Sequence, residues 1–215
     1  MWAAYGTIPL RYGARETSAR IALFQEATMY LRIVVALGLM LSATLALAKE
    51  VAGVALPETI TLGTKPLVLN GAGIRSKFFV KVYVGALYLP ARTRDAAAIL
   101  SNTGPVAMHM YFVHSEVSKE KLVDAWNEGF DDNLGAAERA RLGPRIKRFD
   151  GLFRTVHKGD VIRLDYLPGT GTTVSIANEK RGVIEGQDFM QAWLRIWLGA
   201  KPADSDLEQG LLGAD

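Results

Sequence analysis

The stretch Leu69–Leu89, LNGAGIRSKFFVKVYVGALYL, decides the fold. Successive side chains of an extended chain point to opposite faces, and Phe79 to Leu89 keeps to that alternation throughout. Val80, Val82, Val84, Ala86 and Tyr88 share one face, while Phe79, Lys81, Tyr83, Gly85, Leu87 and Leu89 share the other. The first face is pure core. The second is apolar but carries Lys81 and Tyr83, and if Gly73–Lys77 continues extended in the same phase it carries Arg75 too. Such a strand fits the floor of a ligand cleft, and equally a barrel or sandwich strand with one partly wet face. Gly71-Ala72-Gly73 reads as a tight turn into the strand.

Before this stretch, the segments 51–61 and 62–69 read as a leading extended ribbon interrupted by Pro57. Beyond it, 95–100 predicts one short helix, and VAMHMYFV predicts a second alternating strand. Val106, Met108, Met110 and Phe112 take one face of that strand; Ala107, His109, Tyr111 and Val113 take the other. Ser118 suits a helix N-cap, with Glu120 in the first turn and an apolar stripe of Leu122, Val123, Trp126 and Phe130. Another helix over 136–142 is expected to break at Gly143-Pro144, and a third to start at Pro144 and close at His157-Lys158-Gly159. Two strands, 161–166 and 172–176, flank the turn sequence LPGTG, and a short return leads into Val183-Ile184. The last main helix spans 187–198, its stripe being Phe189, Ala192, Trp193, Ile196 and Trp197, with Gly199 as its stop. Strands, a helical block, strands and a helix in that order predict an antiparallel α+β domain rather than βαβ units.

The N-terminus stands apart. Residues 29–48, MYLRIVVALGLMLSATLALA, combine Arg32, an apolar run and the small-x-small end Ala46-Leu47-Ala48, the layout of a secretory signal peptide. The run is short for a membrane span. Met29 reads as the true start and residues 1–28 as a mis-called extension, which leaves 49–215 as a single exported domain in the periplasm, with no stable membrane span. Removing residues 1–48 takes away four arginines and two glutamates, so 25 basic and 22 acidic residues become 21 and 20. That balance leaves no electrostatic footprint for nucleic acid. The absence of cysteine excludes disulfides and thiolate chemistry.

Few residues suggest chemistry. Three histidines and no Gly-x-Ser-x-Gly make a nucleophilic triad hard to build. Gly71-Ala72-Gly73 lacks the third glycine of a dinucleotide fingerprint. His109 and His114 fall on opposite faces of a strand, against a metal pair, so neither metal nor cofactor is expected. Trp126, Trp193 and Trp197, like Met108 and Met110, first read as core. Arg75 is different, because a guanidinium entering an apolar strand beside a tyrosine needs an anionic or polar partner. A carboxylate of the protein and an oxyanion of a ligand satisfy it equally.

Asn70-Gly-Ala-Gly-Ile-Arg75 followed by Phe79-Val-Lys-Val-Tyr-Val-Gly-Ala-Leu-Tyr-Leu89 resembles the signature of the chalcone isomerase fold, a GGAG-x-R turn leading into F-x-K-F-x-x-x-G-V-Y-L. Ile184-Glu-Gly-Gln-Asp-Phe189, Trp193-Leu-Arg-Ile-Trp-Leu-Gly199, Lys201-Pro202 and Leu211-Leu212-Gly213 look like the bacterial branch of that family. The resemblance implies an open-faced β-sandwich, a large antiparallel sheet covered by helices with a cleft between them. It implies further that Arg75 matches the family's essential arginine, which in an active isomerase (an intramolecular lyase) stabilises oxyanions as a phenolate adds to an enone.

Other positions depart from the isomerase pattern. The strand threonine appears as Tyr83, the threonine of the final helix as Ile196, and Asn127 is the nearest asparagine to the helical tyrosine and asparagine pair. Fatty-acid-binding members of the same family keep the arginine with a tyrosine beside it. The resemblance therefore favours a non-catalytic binder of a small, apolar, carboxylated ligand such as a fatty acid, with an isomerase as the alternative. The expected ligand contacts are Arg75, Tyr83, Lys81, His109, Tyr111, Asn127, Ile196 and Trp197. Haem, bound by some mitochondrial relatives, has only His109, Met108 and Met110 to offer it.

Overall fold

A computed structural model describes residues 49–213, so the expected leader over 29–48 and the extension over 1–28 lie outside the described residues. The chain forms β1 (Lys49–Val51), β2 (Val54–Leu56), β3 (Thr59–Leu62), β4 (Lys65–Lys77) and β5 (Val80–Leu89) before its first short helix, α1 (Ala96–Leu100). Next come β6 (Val106–Phe112), β7 (Glu116–Val117), α2 (Lys119–Asn133), α3 (Ala136–Asp150) and β8 (Val156–His157). Three strands, β9 (Val161–Leu167), β10 (Gly171–Ile176) and β11 (Glu179–Ile184), lead to α4 (Gln187–Leu198) and α5 (Ser205–Leu211).

Seven strands make one antiparallel sheet in the order β11-β10-β9-β6-β5-β4-β3. Alternation assigns its two faces. Leu87 and Leu89 of β5, Val106, Met108 and Met110 of β6, and Ile162, Leu164 and Tyr166 of β9 pack under the helices. Trp126, Phe130, Phe149 and Phe189 meet above them in an aromatic cluster of mostly edge-on rings, the geometry their quadrupoles favour. On the opposite face Val84, Ala86, Tyr88 and Ala107 join Leu67, Leu69 and Leu56 in a smaller core with Val51 and Val54 of the β1–β2 hairpin. The α+β architecture expected from the sequence is thus the one observed.

Three local features differ from the sequence reading. Gly71-Ala72-Gly73 is not a turn; it lies inside β4, and the chain reverses at Phe78-Phe79 instead. The glycines are there for close approach: a Cβ on Gly73 would lie 3.0 Å from the backbone of Leu207, and one on Gly71 would collide with the Gly210 carbonyl of α5. The sequence reading did not anticipate α5 itself, although Asp204, which accepts hydrogen bonds from the backbone of Asp206 and Leu207, is a regular N-cap.

Gly143-Pro144 does not break the helix, and Pro144 sits within α3. Proline disfavours a helical predecessor mainly through the Cβ and N–H of that residue, and Gly143 has no Cβ to clash. The helix then ends at Asp150, because Val156 and His157 are drawn into β8, paired with β7. Ser118 and Asp95 cap α2 and α1 through their side chains as their types predict.

Candidate functional site

The long run of the opening stretch is two strands of a hairpin, so Arg75 and Tyr83 meet across strands rather than along one. Arg75 of β4 is paired with Tyr83 of β5, and directly opposed residues share a face. The register then slips, because Ser76 pairs with Lys81 and Val82 becomes the extra residue of a β-bulge. On the far side of β5 both Val113 and His114 donate their N–H groups to the Val82 carbonyl. The bulge resets the alternation. Val80 and Val82, expected on the core face, line the cavity with Tyr83, whereas Lys81, expected beside Tyr83, is exposed and does not line it.

That cavity, of about 650 Å³, lies between the end of the β4–β5 hairpin and the helices. Met110 and Phe112 extend its floor, and Leu122, Trp126 and Gly129 of α2 with Ile196 of α4 form its roof. Gly129 lets the two helices close, since a Cβ there would lie 2.7 Å from the Ile196 side chain. Around the rim Lys121 and Lys201 alternate with Asp124, Glu128 and Asp132, and His114 reaches the same space. Volume and lining fall in the range of small-molecule sites, apolar with few polar groups.

The polar groups converge at one end. Arg75 Nη1 donates to Asp204 Oδ2 at 3.2 Å and to the Ser76 carbonyl at 2.9 Å. The same Asp204 oxygen accepts the Ser76 N–H at 3.1 Å, so the α5 cap locks the arginine-bearing end of β4. Burial alone would raise the Asp204 carboxyl, but the backbone N–H groups of Leu207 and Ser76 and the Arg75 guanidinium outweigh it, and its pKa is lowered. Nε and Nη2 of Arg75 have no partner among the described residues, and the side chain keeps 24% of its surface exposed. An internal carboxylate and a ligand are therefore compatible: one edge of the guanidinium is held and another remains.

Tyr83 is set from behind. Trp197 Nε1 donates to its hydroxyl oxygen at 2.9 Å, leaving the phenolic hydrogen without an acceptor among the described residues. Burial pushes the phenol up to about 12, against the pull of the Trp197 N–H and Arg75. At neutral pH it is a hydrogen-bond donor beside a fixed cation. Arginine and phenol together suit a carboxylate or carbonyl oxygen at the head of an apolar molecule.

Arg75, Tyr83 and Ile196 line the cavity, and Trp197 acts through Tyr83 without lining it. His109 and Tyr111 lie on the opposite face of the sheet, as β6 alternation requires, and His109 Nε2 sits 2.9 Å from Asp165 Oδ1. Asn127 turns from the cavity into a polar network, donating to Asp150 Oδ2 at 3.0 Å and accepting from Arg139 at 2.7 Å. Met108 and Met110 are buried beneath the helices, on the other face from His109, so the three side chains considered for haem do not converge. Among the described residues no group of three or more His, Asp or Glu side chains is placed to hold a metal ion. Nor is any described helix long and apolar enough to cross a membrane. The sequence reading missed Asp204, His114 and Trp126 as site residues; Asp204 alone had a local signal, its capping position.

A helix-covered antiparallel sheet with an arginine and a partly buried phenol at the head of an apolar cavity defines a cleft-bearing α+β protein. The chain belongs to the chalcone isomerase-like family, whose model matches residues 48–213. A solved fatty-acid binding protein of Arabidopsis thaliana is similar in fold, with a TM-score of 0.58 at 15% identity over 77% of this chain and 95% of that one. No curated protein matches by sequence.

Proposed function

We propose that the chain is a non-catalytic binder of an apolar molecule bearing a carboxylate, of the fatty-acid class, acting in the periplasm after removal of residues 29–48. One observation carries this reading: a half-buried arginine, with donors left unused among the described residues, and a neutral tyrosine stand together at one end of an otherwise apolar cavity. The chain of the ligand lies along Val82, Met110, Phe112 and Ile196, and its head takes Arg75 and the Tyr83 hydroxyl. The fold shared with a fatty-acid binding protein supports the ligand class. Against catalysis, Tyr83 and Ile196 stand where the isomerase pattern has threonines, and Tyr83 stays protonated at neutral pH. Arg75 is the residue a ring-closing isomerase of this family would also need, so turnover of naringenin chalcone is the control.

Calorimetry with palmitate and with hexadecanol tests the site. Because a hydrogen bond to a charged group contributes about 1.5–3 kcal/mol, Arg75→Ala should weaken palmitate by roughly ten- to a hundredfold and leave hexadecanol unchanged. Equal losses for both ligands, or none, would rule out Arg75 as the carboxylate partner. Chalcone conversion above the buffer rate, abolished by Arg75→Ala, would establish the isomerase instead. N-terminal sequencing of protein recovered from the periplasm tests the export.

A further inference from the structure

The tip of the β4–β5 hairpin consists of two phenylalanines held out in water. Phe78 and Phe79 are 86% and 103% exposed, and Val80 after them is 47% exposed. Both phenylalanines have left-handed backbones, φ of 50° and 64°, so the connection is a two-residue turn with both φ positive, the form that favours Asn-Gly. Bulky side chains are disfavoured in that conformation, so the turn itself gives no reason for the rings. Lys77 and Lys81 flank them, exposed and without an ion-pair partner among the described residues. The acidic side chains of the cavity wall belong to α2 and β7, not to the hairpin. Phe78, Val80 and Lys77 also line the cavity, so the tip is continuous with its mouth.

We infer that the Phe78–Phe79 tip inserts into the interface of an anionic lipid bilayer and sets the cavity mouth at the membrane surface. A convex wedge of two rings between two cations is the local pattern of an interfacial anchor: apolar groups enter the acyl boundary while lysines meet anionic headgroups. Two residues are a small anchor, so the contact is reversible and depends on surface charge. Docking rests on the chemistry of the tip and not on the cavity's ligand; the ligand reading gives it a use, since molecules of that class partition into bilayers.

The chain has no cysteine, so Phe79→Cys gives a single site for an environment-sensitive fluorophore. The labelled full chain is mixed with vesicles of phosphatidylcholine alone, or with equal parts phosphatidylglycerol, in the absence of fatty acid. The expected result is a blue shift with the anionic vesicles, reversed by high salt, and none for a label placed by Lys180→Cys on the far sheet edge. Phe78→Asn/Phe79→Gly keeps the turn on the residues it favours and should lower vesicle flotation by at least about tenfold, as loss of two inserted rings requires. An unshifted label, or flotation of the Asn-Gly variant equal to the parent, overturns the inference. So does a shift that follows protein concentration without vesicles, which would make a second copy of the chain the occupant. Palmitate calorimetry on Phe79→Gly, which removes a ring that does not line the cavity, reads the cavity independently, so failure of either reading is recognisable by itself.

Discussion

Gly71→Ala tests the packing that holds Arg75 in place. Gly71 lies in β4 under the end of α5, and the added Cβ would collide with the Gly210 carbonyl oxygen while lying 2.6 Å from Leu211 O and 2.7 Å from Gly213 N. All three are backbone atoms, so no rotamer change relieves the contact. Carbon contacts are comfortable from about 3.5 Å, so α5 has to lift by about 1 Å. Overpacking a filled site costs about 1–3 kcal/mol. The same shift strains the bond from Asn70 Nδ2 to the Leu211 carbonyl, 2.7 Å long and buried, which adds about 1 kcal/mol. The expected loss is therefore about 3 kcal/mol, read as a lowered midpoint in urea unfolding followed by tryptophan fluorescence. If Gly71→Ala left the midpoint where the parent has it, close approach of α5 would not be the reason for the glycine.

Three further outcomes follow from the same geometry. Tyr83→Phe removes the acceptor of the buried Trp197 N–H and should cost about 1–3 kcal/mol in thermal unfolding; no loss would mean that the indole needs no partner there. Asn70→Leu deletes both the donor to Leu211 O, a buried bond, and the acceptor of the Thr93 N–H, a partly buried one, whose loss should cost about 2–3 kcal/mol in urea unfolding, and a neutral result would deny that Asn70 anchors α5. Stability should fall in acid. The Asp188 carboxyl is held far below its usual range by a bidentate hydrogen bond from Arg145, with Arg141 adding to it, and Asp204 is lowered as well. A carboxylate whose folded pKa is depressed contributes stability that is fully present above the unfolded value of about 3.9 and is lost as pH falls toward the folded one. Unfolding midpoints should thus be insensitive to these groups above about pH 5 and drop below pH 4, with a shallower acid limb in Asp188→Asn; an unchanged limb would remove Asp188 as a contributor.

Period and composition sufficed wherever a residue's environment is set by its neighbours in the chain. The alternation of β6 placed Met108 and Met110 opposite His109 and Tyr111, Ser118 capped α2, and the stripe of Phe189, Trp193, Ile196 and Trp197 faced the core. The motif around Arg75 was enough to identify the family. Local rules failed where distant segments act on one another. Gly71 and Gly73 look like a turn in sequence and are clearance for a helix some 130 residues on. Pro144 looks like a break, but the glycine before it relieves the clash.

The candidate site shows the same division. The sequence alone determined that a cation and a phenol belong to one patch of an apolar sheet, because alternation, hydrophobicity and the family motif are written residue by residue. Only the tertiary structure decided which neighbours they have. A bulge at Val82 shifted the phase of β5 by one residue, bringing Val80 and Val82 into the cavity and leaving Lys81 in water. Folding of the C-terminal helix brought Asp204 to Arg75, and α4 brought Trp197 to Tyr83. Strand register and long-range hydrogen bonds are properties of pairs of segments, and no single stretch, however regular, contains them.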